Sequence, residues 1–172
     1  YTVTYNYIKV NDSIISPVYN PHYINSGKSF IGYPDIRYSY LYSNTNNINY
    51  PLTGKIRSFS ILKRGLEWKG KLNMLSIDAL AYYFKEHTHH WYSSFEIKAN
   101  VKLPFQQAYY NQDELGYKDF NLRGLEYYVI DGVAAGVAKY TLKKKLVAFS
   151  IPFPFGIKKI PRLPFAIYAK SY

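Results

Sequence analysis

The chain has 172 residues, with 22 Lys plus Arg against 11 Asp plus Glu for a formal charge of +11, no Cys and 21 Tyr. That length holds one ordinary domain or a piece of a larger one, and 48 Leu, Ile, Val and Phe supply enough apolar residue for folding rather than disorder. The lack of Cys excludes disulfide frameworks, thiolate metal centres and Cys nucleophiles, and no apolar run approaches the ~18 to 20 residues of a membrane-spanning helix.

Period two dominates in chain order. The opening YTVTYNYIKV lacks the basic-then-apolar shape of a signal peptide; instead residues 1–10 alternate, with Tyr1, Val3, Tyr5 and Tyr7 opposite Thr2, Thr4 and Asn6. Residues 36–43 set Ile36, Tyr38, Tyr40 and Tyr42 against Arg37, Ser39 and Ser43. An Asn-rich turn at 44–54 leads to strands at 54–66 and 71–84, joined through KRGLEWKGK, and the polar EHTHH at 86–90 makes the next turn. Residues 91–103 alternate most cleanly: Trp91, Phe95, Ile97, Ala99, Val101 and Leu103 on one face, Tyr92, Ser94, Glu96, Lys98, Asn100 and Lys102 on the other. Residues 104–130 form a loop of 27 residues, beyond the ~12 to 15 at which unstructured loops become uncommon and usually functional. Strands at 134–148 and 163–172 complete about seven, with no helix.

Several of these strands exceed the ~5 to 6 residues usual in soluble proteins and match the ~9 to 11 needed to cross a bilayer at a tilt. Charged residues are 19% of the chain, below the usual ~25%, while aromatics also reach 19%. An apolar face toward lipid, Tyr and Trp at the interfaces and a polar face toward a lumen account for both figures. The predicted fold is therefore all-β: an antiparallel transmembrane β-barrel, incomplete at about seven strands, with residues 1–172 part of one barrel domain. Lys98, Lys102, Lys139, Lys143 and Lys145 fall on its polar, lumenal wall.

Inside the long loop stands LRGLEYY (122–128), preceded by LGYKDF and followed by VIDG, while YSYLYSNTNNINYPLTG (38–54) runs from a strand into an Asn-rich turn closed by Tyr-Pro and Gly. These two elements, in this order, resemble the BamA-like outer-membrane assembly superfamily. The run from QQAYYNQDELG through KYTLKKKL to IPRLPFAIYAK is similar to a family of Gram-negative outer-membrane barrels whose full-length members carry a carboxypeptidase-regulatory-like domain ahead of the barrel. The resemblance implies a bacterial outer-membrane location, outer-membrane lipids and other outer-membrane or periplasmic proteins as partners, no nucleic acid, no cofactor and no bond-breaking chemistry. It also implies that the 104–130 loop is extracellular and tucks into the lumen. Arg123 and Gly124, flanked by Leu122 and Tyr127, would lock it there, with Gly124 allowing close backbone approach to the wall. The superfamily's Arg reaches an inner-wall acid; no Asp or Glu follows Asp131, so Glu96 and Asp78 are the expected partners. Two departures stand out: Leu125 occupies the place of the superfamily's aromatic, and the chain shows about half the strands of such a barrel.

Other groups read blandly. His87, His89 and His90 form a hydrophilic turn with only Glu86 beside them, short of a metal site. Lys143, Lys144 and Lys145 alternate across a strand and make no single nucleic-acid stripe despite a pI of about 9.6. Asp113, Glu114 and Asp119 read as solvated loop acids. No nucleophile elbow, zinc-protease helix, Walker loop or dinucleotide fingerprint is present, so no catalytic residue and no metal site are expected. The leading expectation is assembly or translocation of outer-membrane or surface proteins or lipids. The alternatives are a passive anion-favouring outer-membrane channel and a soluble basic β-protein that binds nucleic acid.

Overall fold

Alternation of polar and apolar side chains along 8 to 19 residues at a time leaves the backbone one way to satisfy its donors and acceptors, which is to pair with neighbouring strands. The computed structural model describes residues 1–14, 23, 29–66, 72–88, 90–117, 124, 127–152 and 162–172. Its strands are β1 (Thr2–Lys9), β2 (Phe30–Thr45), β3 (Gly54–Arg64), β4 (Met74–Thr88), β5 (Trp91–Leu103), the short β6 (Asp113–Leu115) and β7 (Ile130–Asp131), then β8 (Ala134–Pro152) and β9 (Arg162–Ser171). Seven of them form an antiparallel sheet in the order β1-β2-β3-β4-β5-β8-β9, and β6 pairs with β7 in a separate ribbon. Consecutive long strands are neighbours throughout, as hairpin turns require. Among the described residues β1 and β9 end the sheet and no pairing closes it.

Every strand expected from the alternation is present. β2 begins six residues earlier than expected, since Gly32 and Pro34 interrupt the pattern without preventing pairing: Pro34 sits opposite Tyr5 and its carbonyl accepts from the Gly65 amide at 2.9 Å. β8 runs four residues further than expected, through a bulge at Leu146 that shifts the register with β9 between Lys145 and Val147.

Burial along the strands puts polar and apolar side chains together on the covered face and leaves large apolar ones exposed on the other. In β5 the apolar Trp91, Phe95 and Ile97 are exposed, whereas Tyr92, Ser93 and Lys102 are buried and Glu96, Lys98 and Asn100 are half-buried. In β8 Val137, Thr141 and Lys143 are buried while Tyr140, Lys144 and Leu146 face out. In β4 Met74, Ser76 and Phe84 are covered and Tyr83 is exposed.

The chain divides into two compact units: residues 1–42, 57–81 and 97–137, and residues 43–56, 82–96 and 138–172. In the first, a small apolar cluster of Tyr33, Leu72 and Ala108, with Ile8, Val10, Tyr23, Ile31 and Tyr110 packed against it, joins the 104–111 segment to β1 and β2. In the second, the 46–53 turn is held by the Asn46 side-chain oxygen, which accepts from the Leu52 and Thr53 amides at 3.0 and 3.2 Å.

Candidate functional site

Within the first unit, the segment after β5 lies against the polar face of β3, β4 and β5 and encloses a cavity of about 740 Å³, bounded by Arg64, Asp78 and Lys102 from the strands and by Tyr110, Glu114 and Asp131 from the segment. A 3₁₀ turn at Tyr109–Asn111 and the β6–β7 ribbon give that segment its shape. The stretch expected to be an unbroken loop from 104 to 130 thus carries structure of its own. At Gly116 the φ is +86° and an added Cβ would fall 2.2 Å from the Tyr128 carbonyl oxygen, so the turn after β6 requires glycine.

Arg64, the last residue of β3, is the first anchor. Its Nε and Nη2 donate to the two Asp35 oxygens at 3.1 Å each, and Nη1 donates to the Asn111 Oδ1 at 2.9 Å. The guanidinium lies 4.7 Å from the Tyr33 ring centre and 5.7 Å from that of Tyr110. Asn111 is completely buried and donates in turn to Gln107 Oε1 at 3.0 Å, while Gln107 donates to the Pro104 carbonyl at 2.6 Å. One wall cation therefore fixes the whole 104–111 turn.

The second anchor is Lys102 of β5. Its ammonium lies 2.8 Å from Asp113 Oδ1 and 3.1 Å from Glu114 Oε1, with the Lys102 and Glu114 side chains 6% and 3% exposed. The approach to Glu114 is Coulombic: Oε1 is buried without an aligned hydrogen-bond donor. Burial pushes the Glu114 carboxyl up from its ordinary value; Lys102 opposes this, and the negative charges of Asp113 and Asp78 add to it. Glu114 is thus a buried, ion-paired acid rather than the solvated loop acid expected from the sequence. Its neighbour Asp113 is more open at 39% side-chain exposure, and Asp119 lies outside the described residues.

The third anchor is internal to the segment. Tyr109 and Tyr117 donate to the two oxygens of Asp131 at 2.8 and 2.7 Å, and Gly132 donates to the Gln112 carbonyl at 2.7 Å. The bonds to the Asp131 carboxylate raise both phenols, that of Tyr117 to about 12.

The residues singled out from the sequence divide three ways. Asp78, Lys98 and Lys102 all border the cavity. Asp78 accepts from Ser60 at 3.0 Å and from the Asn100 amide, so donors on β3 and β5 hold it in place. Glu96 lies in the second unit, where it accepts from Tyr82 at 3.1 Å and stands 4.0 Å from Lys139; Lys143 and Lys145 are on the covered face of β8 in that unit. Leu122 and Arg123 lie outside the described residues. Gly124 has φ +84° and, among the described residues, nothing within 4 Å of an added Cβ. Its glycine answers a left-handed backbone. Tyr127 is 99% exposed, so the described surroundings give it no part in holding the segment. His87 lies in β4 rather than in the turn expected at 86–90, and it pairs with the Ser93 hydroxyl at 2.7 Å; no metal-binding group of acids and histidines occurs among the described residues.

Arg64, Asp35 and Asn111 escaped the sequence reading. Arg64 sits at the mouth of a Gly-containing turn, Asp35 precedes the expected start of its strand, and Asn111 has no periodic neighbour. Comparisons with protein-family models, with curated proteins and with solved structures return no match.

Proposed function

We propose that this chain is part of an outer-membrane β-barrel of the BamA-like type that helps assemble or translocate outer-membrane or surface proteins or lipids. The observation that carries the reading is the row of large apolar side chains left exposed on long strands: Trp91, Phe95, Ile97, Tyr83 and Tyr140 stand exposed, while the opposite faces hold Ser76, Lys102, Thr141 and Lys143 beside Met74, Phe84, Tyr92 and Val137. Hydrocarbon is the solvent that makes such a face favourable, since each exposed side chain of this kind would otherwise forgo about 1.5 to 3 kcal/mol of burial. Strand lengths of 10 to 19 residues for β2 to β5, β8 and β9 agree with a tilted crossing. Lys144, whose ammonium stands 5.1 Å from the Trp91 ring centre on the exposed face, fits a residue reaching toward the aqueous boundary. A segment tied to the strands by Arg64 and Lys102 supports this reading, which calls for a loop held against the wall.

Trp91 tests the membrane component directly. The chain has two Trp, so Trp68→Phe leaves Trp91 alone. Its emission is expected to be quenched by brominated acyl chains in reconstituted vesicles. Quenching by aqueous iodide with no effect of bromination would overturn the bilayer assignment. For the loop, Arg123→Ala is expected to leave insertion intact and to impair assembly activity; full activity with an undiminished protease-resistant loop would remove Arg123 from the mechanism. The lysines on the covered face of β8 favour one second reading, a passive anion-favouring channel. A constitutively open, anion-selective conductance in planar bilayers would support the channel over assembly.

A further inference from the structure

Beyond assembly or transport, the second unit sets positive charges directly opposite each other on β8 and β9. Lys143 of β8 and Lys170 of β9 are direct cross-strand partners, and Lys145 opposite Tyr168 is the adjoining pair on the same face. Like charges placed opposite each other in a ladder destabilise it. Lys143 is 8% exposed, and its ammonium makes a single long hydrogen bond, 3.5 Å to the Pro51 carbonyl. The same ammonium lies 4.6 Å from the Tyr50 ring centre and 5.7 Å from that of Phe84, and Lys170 stands 4.8 Å from the same Tyr50 ring. Tyr168 packs on Tyr50 at 5.1 Å. Ring quadrupoles attract cations but do not neutralise them.

The acids nearby are engaged elsewhere. Glu86 is the hydrogen-bond partner of Tyr92, and Glu96 serves Tyr82 and Lys139. Among the described residues no carboxylate lies within 4 Å of Lys143 or Lys170, and residues 132–172 contain eight Lys and Arg and no Asp or Glu. The Tyr50 hydroxyl is also buried without a partner. The buried Lys143 ammonium, the more exposed Lys170 ammonium and the buried Tyr50 phenol thus gather around one ring. A buried ammonium such as that of Lys143 costs free energy unless it is paired.

We propose that Lys143, Lys170 and Tyr50 form a binding site for a phosphate-type oxyanion, either free phosphate or the phosphate monoester headgroup of a lipid. A tetrahedral oxyanion presents separate oxygens to both ammonium groups and to the phenol, and its charge relieves the repulsion between the paired lysines.

The test is calorimetric titration of the full chain, folded in zwitterionic detergent, with inorganic phosphate at constant ionic strength. A parallel arm uses phosphatidylcholine vesicles with and without phosphatidic acid. Saturable binding is expected, weakened about tenfold or more in Lys143→Met and in Lys170→Met, because each loses a charge-assisted hydrogen bond. It should be unchanged in Lys144→Met, whose ammonium is on the opposite face over Trp91. Binding of inorganic phosphate identifies the free ion as sufficient; binding confined to phosphatidic acid vesicles identifies the lipid headgroup. No saturable binding of either probe to the unmodified chain overturns the site, as does undiminished binding in both Lys143→Met and Lys170→Met.

Discussion

Asn111 shows how much can rest on one neutral side chain. It receives the third hydrogen bond of a guanidinium already committed to Asp35, and it passes the connection on to Gln107. Asn111→Ala strands a charged donor in a buried place, and the expected cost is about 2 to 3 kcal/mol. Amide exchange within 104–117 should rise while that of β3 and β5 holds; equal protection in both would show that the turn is held by its apolar contacts instead. Glu114 makes the same segment sensitive to pH. Its carboxyl is raised in the docked state, so the docked segment retains a proton that the free segment has already lost. Docking is therefore strongest below the ordinary carboxylate range and weakens as pH rises through the raised value. Glu114→Gln, neutral at all pH, should flatten this dependence in exchange rates measured from acid to neutral pH, whereas an unchanged slope would assign it to another group. At the alkaline end the sign is the same and the groups differ: Tyr109 and Tyr117 hold Asp131 as protonated phenols, so that clamp is complete below the usual tyrosine range and lost as pH passes about 12 for Tyr117.

Among elements, strands were legible wherever two-residue periodicity ran unbroken, and β5 was read with its observed ends, Trp91 and Leu103. Where alternation failed, so did the boundaries. Lys85 to Thr88 are exposed and polar on both sides, so nothing in their chemistry announces the last turn of β4. The bulge at Leu146 sets one extra residue into β8 and shifts the alternation beyond it, which hid the end of the strand. The β6–β7 ribbon was illegible for a different reason: strands of three and two residues carry no period, and their pairing depends on contacts with Lys102 and on the geometry at Gly116. The candidate site was half legible. Alternation placed Lys102, Asp78 and Asn100 on the covered face, but no local pattern could connect Arg64 to Asn111, 47 residues away. Gly116→Ala separates these contributions: it strains a left-handed backbone and meets the Tyr128 carbonyl, at a cost of about 1 to 3 kcal/mol. The expected result is loss of amide protection in β6 and β7 with the long strands unaffected, and a ribbon that stays protected would show that the turn relaxes around the new methyl.

For the molecule as a whole, an all-β chain built from consecutive hairpins distributes its charge very unevenly. Every acid lies at or before Asp131, and the last two strands are purely cationic. A hairpin of that kind cannot neutralise itself as it zips. Lys143 meets Lys170 across the ladder whatever order the hydrogen bonds form in, so closing it must borrow negative charge from dissolved salt or from an anionic surface alongside which it folds. Refolding yield in neutral detergent should accordingly climb with ionic strength, and Lys170→Gln should make it nearly indifferent to salt.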